Sequence, residues 1–200
     1  MVMNKTTRHD TCEHLLATGE QLCLQRGFTG MGLSELLSVA EVPKGSFYHY
    51  FRSKEAFGVA MLERYFAHYH HQVSSFLAAD PQHPRQRVLD YYHTAYENFR
   101  HDGAFAACLS VKLSAEVCDL SEPMRIALER GSQAIIAALA ATLQHAVEQG
   151  EVRLDTDAQI SAETCYMLWL GASLQCKIRR DVTPLSWAYA AITRMLPAAN

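Results

Sequence analysis

Six cysteines are the side chains in this sequence whose chemistry stands out, namely Cys12, Cys23, Cys108, Cys118, Cys165 and Cys176. They form no CxxC pair, and Cys12 to Cys23 and Cys165 to Cys176 are each eleven residues apart. On a continuous helix this spacing separates the sulfurs by roughly 16 Å, so neither pair alone can hold a metal ion. His68 and His71 supply only two ligands, which predicts surface residues. We therefore expect free thiols, and no metal or other cofactor.

The reactivity of each thiol depends on its surroundings, because the thiolate is the reactive form and a nearby cation favours it. Lys112 lies four positions after Cys108. A free cysteine is nevertheless among the most buried residue types and behaves as a small apolar side chain. From the residues alone, packing and reactivity both stay open for Cys108. Packing is the prediction for Cys12, Cys23, Cys118, Cys165 and Cys176.

The composition is that of an ordinary globular chain, with 49% apolar residues, 20% charged residues and a net charge of −3. Indiscriminate binding to nucleic acid depends on many Lys and Arg contacts to phosphate, so any DNA site must be local. Apolar stretches such as 167–170 fall far short of the roughly 20 residues of a membrane span. Met1–Asp10 is polar and lacks a signal-peptide core. We expect a cytoplasmic protein with no membrane partner.

The elements that must position these side chains are helices, because apolar residues recur at helical spacing and no strand-like alternation competes with them. A first helix is predicted from Asp10 to a stop at Gly27, and Ser34 is placed to cap a short second one. Lys44–Tyr50 is predicted to form a third helix, and Ser53 is predicted to cap a long fourth helix. Further helices are predicted at about 85–101, 104–116, 121–149, 157–180 and 184–196.

The third predicted helix has the features of a DNA-recognition helix. Gly45 and Ser46 are small, so the backbone at its N-terminal end can approach a groove, and Lys44 adds an ammonium beside them. Tyr48 and His49 are expected to face outward, where a hydroxyl and a ring nitrogen suit phosphate anchoring. The alternative is an ordinary aromatic cluster on a helical hairpin, which a bare Tyr-His-Tyr sequence would favour.

The whole motif VPKGSFYHYFRSKEAF, Val42–Phe57, resembles the DNA-binding domain of the TetR family of transcriptional repressors. The resemblance implies an all-α protein with an N-terminal three-helix helix-turn-helix domain, residues 1–54, and a C-terminal helical sensing and dimerisation domain, residues 55–200. It implies a homodimer on palindromic double-stranded operator DNA, and no enzyme. The expected DNA-binding residues are Ser34, Lys44, Gly45, Ser46, Tyr48, His49 and Lys54, with Lys5 and Arg8 as a flexible arm.

Two further stretches, CLSVKLSAEVCDLSEPMR from Cys108 and LWLGASLQCKI from Leu168, resemble electrophile-responsive members of the same family. The resemblance implies that reactive electrophiles or oxidants release the repressor from operator DNA, that it controls detoxification genes, and that Cys108 is the sensor. Lys177 is a candidate for an amine beside that sulfur.

Two alternatives to thiol sensing remain. The first is a TetR-type repressor with a reversible, non-covalent effector, in a pocket lined by aromatic residues such as Tyr92 and Trp169. The second is a thiol enzyme, which no resolving-cysteine motif or glycine-rich phosphate loop supports. Gly171 and its small neighbours on the helix from 157 predict a close helix contact, for which a two-fold dimer interface is favoured over packing within one subunit.

Overall fold

The computed structural model of the chain describes residues 5–102 and 109–199, apart from the side chains of 5–9 and of 102. Within those ranges it contains helices and no sheet, and its strand-like pairing is an isolated bridge between Val152 and Ala198. The prediction of an all-α protein is confirmed. The helices are α1 (Lys5–Gly30), α2 (Leu33–Val39), α3 (Lys44–Tyr50), α4 (Lys54–Ala78), α5 (Pro84–Asp102), α6 (Leu109–Val117), α7 (Glu122–Glu148), α8 (Ala158–Arg179) and α9 (Thr183–Met195).

Local signals at Pro43 and Ser53 fix the beginnings of α3 and α4. Pro43 precedes α3 with an extended backbone, and Ser53 Oγ accepts the Ala56 N–H at 3.0 Å at the start of α4. The predicted cap at Ser34 is wrong, because α2 begins at Leu33 and its cap is Gly32, which has an extended backbone and no side-chain hydrogen bond. Ser34 is therefore an exposed residue in the first turn of α2.

The predicted stop at Gly27 is a break within α1, after which one more turn continues to Gly30. Gly27 has φ 79° and ψ 171°, a backbone conformation that residues with a Cβ rarely adopt. A Cβ added there would lie 2.6 Å from Oε2 of Glu116 on α6. Glycine is thus required at this position by its backbone conformation and by the close carboxylate.

The first of two compact units contains the described residues of Met1–Ala67 and Ala106–Gly131. Its core joins the three N-terminal helices to the first part of α4 and to α6, because Phe47, Phe57, Met61 and Leu113 are all completely buried in one cluster. This packing unit is larger than the predicted DNA-binding domain of residues 1–54. The boundary at 54 stays a prediction.

The second compact unit contains the described residues of His68–Phe105 and Ser132–Asn200. Asp157 caps α8 by accepting the Ile160 N–H at 2.8 Å, and α8 packs on α9. Its larger core cluster includes Val88, Tyr92, Ile135, Leu139, Leu143, Cys165 and Ile192.

Among the described helices, α7 alone is long and apolar enough to cross a membrane by length and composition. Core helices of globular proteins pass the same test. In α7 the residues Leu128, Ile135, Leu139 and Leu143 are buried in the hydrophobic cores. The apolar character of α7 is accounted for by this packing.

Candidate DNA interface and thiol sites

The orientation of α3 is set by Phe47, which is completely buried. Its ring packs against the rings of Phe51 and Phe57, at centroid distances of 5.3 and 5.6 Å. Tyr50 is half-buried on the same side. The exposed residues of α3 are Lys44, Gly45, Tyr48 and His49. The helix therefore turns an aromatic face into the core of the first unit and presents its polar residues to solvent.

The exposed face of α3 has the chemistry of a phosphate-binding surface. Tyr48 is 51% exposed, and the Lys44 ammonium and the His49 ring are also accessible. Apart from its own stretch of helix, no described atom lies within 4 Å of a Cβ built on Gly45, so the backbone there is open to close approach. Ser46 is half-buried, and Ser34 on α2 is exposed. Such donors suit contacts to phosphate and sugar, which position a protein on a duplex.

Lys54 has an intramolecular role that the sequence did not predict. Its Nζ donates to the carbonyl oxygen of Phe28 at 2.7 Å and lies 4.7 Å from the centroid of the Phe28 ring. The side chain is half-buried. A contact to phosphate, which stays a prediction, would have to use the other N–H donors of this ammonium. The side chains of Lys5 and Arg8 lie outside the described part of the chain.

Sequence reasoning passed over Arg52, an exposed cation between α3 and α4. It follows the buried Phe51 directly, so the backbone turn that buries the phenylalanine leaves the guanidinium in solvent. The sequence feature that could have identified Arg52 is its position as a basic residue between the predicted recognition helix and the Ser53 cap.

Arg64 on α4 holds two carboxylates of α1. Its Nε donates to Glu13 Oε1 and its Nη1 to Glu20 Oε1, each at 2.5 Å. The hydrogen bond to Glu13 is the main reason why the pKa of the Arg64 guanidinium is raised above its ordinary value. The guanidinium therefore stays charged and fixes α1 against α4. The partners lie 51 and 44 positions away in the sequence, so no local pattern could have identified them.

Of the two predicted sensor residues, Cys108 and Lys177, the structure describes only Lys177. Cys108 lies outside the described residues, and Lys177 is half-buried on α8 in the second unit. Lys112 is half-buried on α6, in the first unit. The roles of Cys108 and Lys177 therefore remain predictions from the resemblance.

The described thiols have surroundings that favour packing. Cys23, Cys165 and Cys176 are buried, whereas Cys12 and Cys118 are half-buried. Burial, assisted by the Glu116 carboxylate, raises the pKa of Cys23 to about 12, and burial raises the pKa of Cys165 to about 11. Burial also raises the pKa of Cys12 and of Cys176. A raised pKa keeps a thiol protonated and therefore inert.

Aromatic residues that were expected to line a pocket pack against one another in the described part of the chain. The Tyr92 ring is buried 5.1 Å from the Trp169 ring, and the hydroxyls of Tyr69 and Tyr91 are hydrogen-bonded at 2.5 Å. A cavity of about 360 Å³ lies elsewhere in the second unit, and its lining includes Ser74, Leu77, Pro84, Thr142 and His145.

A row of exposed apolar residues follows one face of α8. Gly171 lies in this row and is exposed, and no described atom outside its own stretch of helix lies within 4 Å of a Cβ built on it. Among the described residues of one subunit nothing packs closely on Gly171, whereas Ala172 and Ser173 beside it are buried. The exposed apolar residues of α8 are Ile160, Met167, Leu174 and Ile178, and Trp187 of α9 is also 60% exposed. Contiguous apolar surface of this kind marks an interaction site.

Comparison with protein families gives two matches that together span most of the chain. Residues 15–61 match the family described as bacterial regulatory proteins, tetR family. Residues 84–192 match the family described as tetracyclin repressor-like, C-terminal domain. The first match contains α2 and α3 with their flanking turns.

Similar proteins extend over nearly the full length. The chain is 55% identical over 194 residues to the HTH-type transcriptional repressor NemR of Escherichia coli (strain K12), covering 97% of this chain and 98% of the relative. It is 33% identical over 173 residues to the HTH-type transcriptional repressor DhaR of Mycobacterium sp. (strain GP1), covering 86% and 85%. The crystal structure of the reduced form of E. coli NemR matches with a TM-score of 0.90 and 53% identity, covering 94% of this chain and 98% of that one.

Proposed function

Because the chain belongs to the TetR family of transcriptional repressors, we propose that reactive electrophiles or oxidants release it from operator DNA by modifying Cys108. Repressors of this family bind operator DNA and act as dimers, and the chain is a repressor of the NemR type, not an enzyme. The genes it would control encode detoxifying enzymes, and its site of action would be the cytoplasm, where the operator is.

For DNA binding we propose that the exposed face of α3, with Lys44, Tyr48 and His49, lies on the duplex. The observation that carries this proposal is the complete burial of Phe47, which leaves only one face of α3 for DNA. Gly45 and Ser46 allow close approach, and Ser34, Lys54 and Arg52 are further phosphate candidates. In a two-fold dimer, two such helices about 34 to 36 Å apart read a palindrome in successive major grooves.

For dimerisation we propose that the exposed apolar face of α8 packs on the same face of a second copy, together with Trp187 of α9. A two-fold interface uses the same patch on both subunits. Gly171 supports this role because it is the position where the helix surface lacks a side chain and is open. A neighbouring helix can therefore approach the backbone closely there.

Thiol sensing is supported by the likeness to NemR, whose matched crystal structure is named a reduced form. That name specifies the redox state in which NemR was crystallised. In this chain Lys112 lies four positions after Cys108 and is a cation that favours a thiolate. The described thiols with strongly raised pKa values, Cys23 and Cys165, are poor competitors for an electrophile.

The test is an operator-binding titration with and without N-ethylmaleimide, for the parent, Cys108→Ser and the matched control Cys118→Ser. The parent and Cys118→Ser should lose about 100-fold in operator affinity after treatment, which corresponds to about 2.7 kcal/mol of coupling. Cys108→Ser should keep its affinity. Release of Cys108→Ser to the same extent as the parent would contradict the proposal.

A reversible effector is the second candidate, and the cavity of about 360 Å³ in the second unit favours it. Its volume lies in the range of small-molecule sites, and Ser74, Thr142 and His145 offer polar groups at its wall. Intact-protein mass separates the two candidates. An inducer that releases DNA without adding mass to the protein supports the cavity, whereas a single adduct on release supports the thiol.

A further inference from the structure

The break at Gly27 leaves backbone groups that need partners from elsewhere in the fold. The first N–H groups of a helical turn have no partner within that turn. Here the N–H of Phe28 donates to Oε2 of Glu116 at 3.1 Å, and the N–H of Thr29 donates to Oε1 at 2.5 Å. One carboxylate from α6 therefore caps the last turn of α1.

The same peptide is held from its other side. Lys54, the first residue of α4, donates from Nζ to the carbonyl oxygen of Phe28 at 2.7 Å. We call the set of Glu116, Lys54 and the backbone of Phe28 and Thr29 the Phe28 clamp. It joins α1, α4 and α6 within the first compact unit, and its partners lie 26 to 88 positions apart in the sequence.

The electrostatics of the clamp require an ionised Glu116. Burial raises the pKa of this carboxyl, but the hydrogen bonds from Thr29 and Phe28 outweigh burial and bring the pKa below its ordinary value. Lys112, one turn earlier on α6, acts in the same direction. Near neutral pH the carboxylate is charged, and charge-assisted hydrogen bonds are stronger than neutral ones.

The position of the clamp connects α6 to both ends of the helix-turn-helix. Thr29 lies four residues before α2, and Lys54 lies four residues after the last residue of α3. Glu116 follows Lys112 and Cys108 at intervals of four residues in the sequence. A change in α6 that moves Glu116 therefore acts directly on the segment that leads into α2.

We infer that Glu116 is the positioning residue through which α6 holds the helix-turn-helix in its operator-binding arrangement. Loss of the clamp lowers operator affinity while the protein stays folded and dimeric. The link from the clamp to electrophile response rests on the function proposed above, whereas its link to operator affinity does not.

The test compares Glu116→Gln with Asp119→Asn, which removes an exposed carboxylate just after α6. Glutamine keeps the size of the side chain, but it is uncharged, and it replaces one of the two accepting carboxylate oxygens with an NH₂ group that cannot accept an N–H. Operator affinity should fall about 10-fold for Glu116→Gln and stay within twofold for Asp119→Asn. Amide hydrogen exchange at Phe28 and Thr29 should speed up in Glu116→Gln alone. Unchanged operator affinity in folded, dimeric Glu116→Gln would overturn the inference.

A measurement on the parent protein keeps the test independent of any variant. If the clamp favours the operator-bound arrangement, operator binding must favour the clamp by the same factor. Addition of operator should therefore slow amide exchange at Phe28 and Thr29. Equal exchange rates in free and operator-bound protein would refute the coupling.

Treatment of the same proteins with N-ethylmaleimide separates the two proposals. If the parent is not released but Glu116→Gln still binds operator weakly, thiol sensing fails and the positioning role stands. If the parent is released but Glu116→Gln binds operator as tightly as the parent, the positioning role fails and thiol sensing stands.

Discussion

The ring of Phe66 on α4 lies directly against the backbone of Gly131 on α7, so a Cβ added to Gly131 would fall 2.1 Å from Phe66 Cγ. Phe66 is almost fully buried, with 4% of its surface exposed. The absence of a side chain at Gly131 is what allows α7 and α4 to approach this closely in the first unit.

Gly131→Ala should therefore destabilise the protein, although alanine is the better helix former by about 1 kcal/mol. Displacement of a buried aromatic ring by an added methyl group costs about 1–3 kcal/mol or more. After the helix-propensity gain is subtracted, the net loss in the free energy of unfolding should be up to about 2 kcal/mol in urea titrations. A stabilised Gly131→Ala protein would show that the ring can move without cost.

Glu41, in the turn between α2 and α3, has φ 54°, and Glu41→Gly should raise the free energy of unfolding by about 0.5–1 kcal/mol. The gain is smaller than the full left-handed penalty because glycine is also more flexible in the unfolded chain. Gly150→Ala is the matched reverse change, since Gly150 has φ 71° and open space around it. It should destabilise by about 1 kcal/mol, and urea titration measures both.

Lys44→Ala should weaken binding to operator and to unrelated DNA alike, and should lower the slope of log affinity against log salt by about one. The reason is the loss of one cation from the exposed face of α3. Arg130→Ala, which removes an exposed cation of α7, serves as the control and should keep the parent slope. An unchanged slope for Lys44→Ala would remove this lysine from the interface.

Gly171→Leu should convert the dimer into monomer or aggregate, because a bulky side chain would occupy the open position on the apolar face of α8. Light scattering coupled to size-exclusion chromatography measures the outcome. Ala137→Leu, which adds bulk at an exposed position of α7, serves as the control and should remain a dimer. A stable Gly171→Leu dimer would place the interface elsewhere.

Cys23 and Cys165 should resist alkylation by N-ethylmaleimide in the folded protein at pH 8 and react only on unfolding. Their pKa values, raised by burial to about 12 and about 11, leave little thiolate at that pH. Peptide mass mapping after native and denaturing labelling measures each site. Rapid native labelling of either residue would contradict the buried environment.

Local signals in the sequence predicted most of the fold. Pro43, Ser53 and the glycine at 27 each act on the backbone within a few residues, so the beginnings of α3 and α4 and the break in α1 were predictable. Phe47 was expected to face inward from its spacing, and it is buried. The misplaced cap at Ser34 arose because Gly32 precedes α2 without any side-chain signal.

Contacts between segments that are distant in the sequence could not be predicted from local sequence patterns. Glu116 and Arg64 each meet partners more than 40 positions away, and nothing in their own neighbourhoods distinguishes them from surface charges. Lys54 was identified as a basic residue near DNA, but its bond to the Phe28 carbonyl depends on how α1 packs against α4.

The shared core of the first unit has a consequence for protein engineering. Phe57, Met61 and Leu113 pack with Phe47 but lie beyond residue 54 in the chain. A fragment ending at 54 would leave Phe47 without these partners and α1 without the Glu116 cap. The three N-terminal helices therefore depend on later parts of the chain for their packing. A chimera that transfers them into another repressor should include α6 and the first turns of α4 as well.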